Sequence, residues 1–190
     1  GTLTEDQIQD FEQNKPLYPY VDENLNHKLS DDYEEITLPD GNVYKVFIGD
    51  NAIDKFVSVT NTGKSDAYVR TIIALEAPTD KIDIAFNSKN NKWKMDKNAS
   101  SHSIEVDGVQ YDLFVCVYQD ALKPNETTPY SLLQVALGWD ATNEDVAAYN
   151  GSYDVLVLSQ AVQTEGFENG PAAALDEAFG AIDATSAAKW

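Results

Sequence analysis

Apolar and polar positions along most of this chain alternate with a period of two, the spacing of a strand with one face toward a core. The pattern starts near Tyr33. YEEITL and NVYKVFI flank Pro39-Asp40-Gly41, and Asp-Gly between two β-prone runs predicts a hairpin. A turn at Gly49-Asp50-Asn51 follows. Lys55–Thr60 alternates again, with Phe56, Ser58 and Thr60 on one face and Val57 and Val59 on the other. Asn61-Thr62-Gly63 makes the next turn. In Ala67–Glu76 (AYVRTIIALE) both faces are apolar: Val69, Ile73 and Leu75 lie on one, Tyr68, Ile72 and Ala74 on the other. A strand of that kind belongs in the middle of a sheet. Ile82–Phe86 predicts a short strand. Residues 87–101 read as a polar excursion pinned to the body by Trp93 and Met95. Ser103–Val106 and Val109–Tyr118, joined by Asp107-Gly108, predict a second hairpin. Tyr130–Trp139 and Tyr153–Val162 are long strand candidates.

Helical signals are short and peripheral. Thr4–Gln13 carries Thr4 as N-cap with Gln7 three places on, and Pro16 and Pro19 end it. Asn143–Tyr149 has Thr142, Asn143 and Asp145 as capping residues. Pro171, after Asn169-Gly170, suits the first turn of a helix whose Ala174, Leu175, Ala178 and Phe179 share one side. The tail to Trp190 is expected to fray. Many strands, turn signals between them and few short helices predict a mainly β fold, an antiparallel sandwich. We expect one domain over 1–190, with 1–32 as an N-terminal loop and helix extension and 168–190 as a short helix and tail. Jelly-roll and immunoglobulin-like connections give similar patterns, so strand order stays open.

Composition narrows the partners. The 190 residues are enough to bury a core without disulfides. There are 32 acidic against 13 basic residues, net −19, and Arg70 is the only arginine. Nucleic-acid binding needs clustered Lys and Arg to displace counterions, so that class is excluded, and anionic membrane surfaces are disfavoured. Such a surface keeps copies apart until salt or a divalent cation screens it. No segment is apolar for the ~18 residues of a membrane span, so no membrane insertion is expected. The opening GTLTEDQIQDF has neither the basic start nor the apolar stretch of a signal peptide.

Candidate chemistry is sparse. His27 and His102 are the only histidines, and neither HExxH nor a metal-ligand pair of histidines occurs. GxSxG and glycine-rich phosphate loops are missing too. Cys116, inside LFVCVY, reads as a packed thiol. Arg70, in a two-faced apolar strand, is expected to be partly buried against a carboxylate. Asp31, Asp32, Glu34 and Glu35 (in SDDYEE) lack the spacing of a calcium loop and read as a solvated face. Trp93, Trp139 and Tyr130 are candidates for a carbohydrate- or host-protein-binding face, although aromatics at alternating strand positions are more often core. No residue is assigned a catalytic, cofactor-binding or metal role, and no cofactor is expected.

Three stretches carry a resemblance. DKFVSVTNTGKSDAYVRTIIALEAP (Asp54–Pro78), SLLQVALGWDATNEDV (Ser131–Val146) and YDVLVLSQAVQTEGFENGPAAALDEAFG (Tyr153–Gly180) resemble exported Firmicutes proteins processed by the SipW type of signal peptidase, the group around TasA and camelysin (CalY). FEQNKPLYP (Phe11–Pro19) fits a gut-clostridial branch of that group. The resemblance implies a jelly-roll-like sandwich, secretion to the cell surface or biofilm matrix, and fibre assembly by donor-strand exchange. The partner is then another copy or a related matrix subunit, joined through a sheet edge. Members of the branch usually carry a further strand ahead of the region matching Thr2, and that strand is not seen in this sequence. The resemblance also implies an alternative, a camelysin-like metallopeptidase, for which His27 and His102 with a nearby carboxylate are the candidates.

Overall fold

The computed structural model describes residues 33–38, 40–47, 52–87, 92–96, 102–138 and 141–182. The expected helix over Thr4–Gln13 and the extension 1–32 lie outside these residues, as do His27, Asp31, Asp32 and Trp139. The described chain is mainly β and antiparallel, the class the patterning predicts. Its strands are β1 (Tyr33–Thr37), β2 (Val43–Phe47), β3 (Ala52–Asp54), β4 (Ala67–Glu76), β5 (Ile82–Phe86), β6 (Trp93–Met95), β7 (Ser103–Val106), β8 (Val109–Tyr118), β9 (Leu132–Leu137) and β10 (Val155–Gln163). The helices are α1 (Asn143–Ala148) and α2 (Gly170–Phe179).

β1 and β2 form the first predicted hairpin, registered from Tyr33 opposite Phe47 to Thr37 opposite Val43. The second hairpin, β7–β8, turns at Asp107 (φ 52°) and Gly108 (φ 82°). Two successive positive φ values make the mirror-image turn that matches the right-handed twist of its strands. The main sheet runs β10-β4-β8-β6, with β7 also on β8. β4 is central, as its two apolar faces require, with β10 on one side and β8 on the other. A smaller sheet, β3-β9-β5, faces it.

The core lies between these sheets. Ile73 and Leu75 of β4 pack with Ile53 of β3 and with Leu132 and Val135 of β9; Phe114 of β8 and Val155 of β10 close around them. On the far face of the main sheet, Ile72 and Ala74 of β4 pack with Ile104, Tyr111, Leu113 and Val115. Ile182 packs on that cluster, so the chain just beyond α2 is anchored; the rest of the tail expected to fray, 183–190, lies outside the described residues. α2 lies against β4, β10 and β8 through buried Ala174 and Leu175. Phe179, expected on the same buried side, is 47% exposed.

Two further readings need correction. Lys55–Thr60 keeps the predicted alternation, with Val57 and Val59 half-buried and Phe56, Ser58 and Thr60 exposed. It is nevertheless an irregular extended run, not a strand. Its bonds to the 126–133 segment (Val57 N–H to the Leu132 carbonyl, 3.2 Å; Thr128 N–H to the Val59 carbonyl, 2.9 Å) do not make a continuous ladder. Trp93 and Met95 pin the polar excursion to the body as expected, packing against Tyr118 and Cys116, but they do so as a strand on β8 where none was expected.

Leu132 is fully buried and Leu158 of β10 is 42% exposed. Leu132→Ala should therefore cost about 2–5 kcal/mol in urea unfolding. Leu158→Ala should stay within about 0.5–1 kcal/mol of the parent. Equal losses would show that β10 is covered in solution.

Candidate functional site

The described strands treat the two sides of the main sheet unequally. The outer side of β8 is covered along its whole length. β7 pairs with Val109–Asp112 and β6 with Cys116–Tyr118. Between them, Leu113 N–H donates to the His102 carbonyl (2.9 Å) and Asp96 N–H to the Val115 carbonyl (2.8 Å). β10, on the other side, pairs with β4 over all nine of its residues, and no described strand pairs with its outer side.

The pairing phase shows which groups are left open. At the ends of the β10–β4 ladder, Glu76 N–H donates to the Asp154 carbonyl (3.1 Å) and Thr164 N–H to the Asp66 carbonyl (3.0 Å). The register is constant between them. In an antiparallel pair, every second residue turns both backbone groups toward its partner. The even-numbered residues of β10 therefore bond inward. Val155, Val157, Ser159, Ala161 and Gln163 turn their N–H and C=O groups outward.

The side chains do not protect this edge. Leu156, Val157 and Leu158 are 42%, 45% and 42% exposed, half of the six large apolar side chains exposed among the described residues. Val157 points to the sandwich face, opposite Ile73; Leu156 and Leu158 point to the α2 face, opposite Ala74 and Ile72. Natural edge strands are usually blunted by lysine, proline, an inward charge or a bulge. VLVLSQAVQ contains no charge and no proline, and its register with β4 has no bulge.

Arg70 fixes this edge from behind. It is 3% exposed, on the α2 face of β4. Its Nε donates to Gln160 Oε1 of β10 (2.7 Å), Nη1 to Asp176 Oδ1 of α2 (2.7 Å) and Nη2 to the Gly180 carbonyl (2.8 Å). Gly180 has φ 86°, a backbone that favours glycine, and its own N–H donates to the Asp176 carbonyl (2.8 Å). One guanidinium thus ties β4, β10 and α2 together, and the expected carboxylate partner is Asp176.

The other sequence candidates do not converge. Cys116 is buried among Val69, Trp93 and Tyr118, and burial pushes its thiol up to about 12. Trp93 is 7% exposed, its ring beside Tyr118 and its Nε1 donating to the Pro129 carbonyl (2.8 Å), so it is core and not a sugar platform. Tyr130 is half-buried, stacked on Phe56 (4.8 Å between centroids) and tilted on Tyr44 (5.6 Å). Tyr44 Oη accepts from Tyr130 N–H (3.0 Å) and bonds to Asp40; burial and that bond together hold the phenol well above its ordinary range. His102 is half-buried, and among the described residues no group of three His, Cys, Asp or Glu side chains is placed to hold a metal.

A small cleft of about 180 Å³ opens at the start of β10, lined by Glu76, Asp112, Phe114 and Tyr153 among others. Glu76 accepts from Asp154 N–H (2.9 Å), and its carboxyl is raised above the usual range, mainly by burial. The buried Tyr153 hydroxyl has no hydrogen-bond partner. Sequence reading missed β10 as a site, although the lack of any charge from Val155 to Gln163 was visible. No family model, curated protein or solved structure matches the chain.

Asp176→Ala should cost about 1–3 kcal/mol, less than a fully buried pair because Asp176 is 40% exposed, and should speed amide exchange in α2. Unchanged stability and exchange would show that the clamp is absent in solution. Cys116 in the folded chain should resist a thiol reagent at pH 8 and react once urea unfolds it. Its folded pKa is raised from 9.0 to about 12, so its contribution to stability is intact below about pH 9 and lost as pH climbs toward 12. Rapid labelling of the native chain would contradict the packing described.

Proposed function

We propose that this chain is a secreted structural subunit of the cell surface or biofilm matrix, joined to its neighbours by β-strand addition at the open side of β10. The observation that carries the reading is the nine-residue, uncharged, half-exposed edge with five residues turning backbone donors and acceptors away from β4, where no described strand pairs with them. An added strand would pair those groups and cover Leu156, Val157 and Leu158 in one step. Backbone hydrogen bonds then supply much of the joint, and side-chain fit selects the partner.

The resemblance to the TasA and camelysin group supports the same reading. Its jelly-roll-like sandwich, its export and its assembly by strand donation are expectations that fit an antiparallel sandwich with one long unpaired edge. The −19 charge suits a subunit held apart in dilute solution and brought together when salt screens it. The metallopeptidase and aromatic-binding alternatives have no comparable observation among the described residues.

Raising salt from about 20 mM to about 0.5 M shortens the screening length roughly five-fold. It should drive the chain from monomers into larger species, followed by sedimentation velocity and electron microscopy. Val157→Lys, at an exposed position whose backbone points away from β4, should abolish the growth and leave the urea midpoint unchanged. Growth that survives Val157→Lys, or a parent chain that stays monomeric throughout, would overturn the reading.

A further inference from the structure

The occupant of the open edge can be specified further, on the reading that β10 accepts a strand. We propose that a second copy of this chain takes the position, β10 against β10, antiparallel about a two-fold axis through Ser159.

Three properties of the strand support self-pairing. The first is phase. The outward groups belong to Val155, Val157, Ser159, Ala161 and Gln163, a set that is its own mirror about Ser159. Two copies related by that axis place Val155 opposite Gln163 of the second copy, Val157 opposite Ala161, and Ser159 opposite Ser159. Every outward N–H meets an outward C=O, so all five residues of each edge are satisfied.

The second property is the side-chain match. The same register sets exposed Leu156 opposite Val162 of the second copy on the α2 face, and Leu158 opposite the aliphatic stem of Gln160. Val157 meets Ala161 on the sandwich face. No large apolar side chain faces a charge, and directly opposed pairs of this type stabilise a sheet.

The third is charge. The molecule carries −19, yet none of it lies between Val155 and Gln163. The nearest carboxylates in sequence are Asp154 and Glu165, just beyond the two ends. In the paired register, Asp154 falls opposite Thr164 of the second copy and next to its Glu165. Within the strand no like charges are opposed; Asp176 of α2, which comes beside Gln160 through Arg70, is offset by that guanidinium, and the repulsion that remains between the two acidic molecules is screened by salt. A two-fold joint closes on itself, so any longer assembly uses this joint together with a different contact.

Single cysteines test the register, because native Cys116 is buried and its thiol is held protonated at working pH. In a hydrogen-bonded antiparallel pair, facing Cα atoms are about 5.5 Å apart, within disulfide reach. Ser159→Cys should therefore give a covalent dimer under mild oxidation, and more of it at about 0.5 M than at about 20 mM salt. Val157→Cys should give little, since its copies sit four residues apart along the strand, about 14 Å. Urea midpoints of both variants check that they fold. Cross-linking at Val157 equal to or above that at Ser159 would overturn the proposal, as would an absence of cross-linking at both. If the parent still assembles in a Val157→Lys-sensitive way in either case, the strand-accepting edge stands and only the self-pairing fails. Loss of that assembly as well removes both.

Discussion

Backbone N–H and C=O groups in a sheet have to be paired or kept wet, and the two sides of β4 meet this demand in different ways. Toward β8 the pairing continues outward into β6 and β7, two short collinear strands whose junction is closed by single bonds to His102 and Asp96. Toward β10 the pairing stops among the described residues. The chain commits nine residues to β4 and leaves the far side of the same strand without a described partner. The sandwich core holds β10 on one face, Arg70 and α2 hold it on the other and β4 pairs with its inner edge, so the outer edge is presented on a rigid support.

That support explains why the edge persists as a strand. Isolated edge strands with half-exposed side chains are weakly held, and burial supplies little at Leu156, Val157 or Leu158. Inward bonds to β4 and the Arg70–Gln160 contact replace it. Asp176 and the Gly180 carbonyl give the buried guanidinium its remaining partners, so the charge is compensated within the fold. Stability and edge presentation are thus linked through a single side chain whose strand position was legible from the start.

Much of the fold could be read from local pattern. Asp-Gly at both hairpins, apolar residues on both faces of β4, and the Thr142–Asp145 capping box of α1 each follow from rules acting over a few residues, and each is present. The site was harder to read because VLVLSQAV has the same two-faced apolar pattern as AYVRTIIALE. Periodicity cannot tell a strand buried on both sides from one at an edge; only the long-range pairing of β10 with β4 does. The exposure of Phe179 and the strand pairing of Trp93–Met95 escaped the sequence for a related reason. Only Ala174 and Leu175 of the expected α2 side are buried, and the anchoring expected of Trp93 and Met95 is delivered as pairing with β8, which is set by long-range packing and not by local pattern.

An edge that awaits a strand should be open in the monomer, and amide hydrogen exchange of β10 read residue by residue reports this directly. In dilute, low-salt solution the amides of Leu156, Leu158, Gln160 and Val162 should be protected by β4, while those of Val157, Ser159 and Ala161 exchange freely. The second set should become protected as the chain associates. Slow exchange of Val157, Ser159 and Ala161 in the dilute monomer would mean that the edge is already covered, leaving β10 no free backbone groups with which to accept a strand.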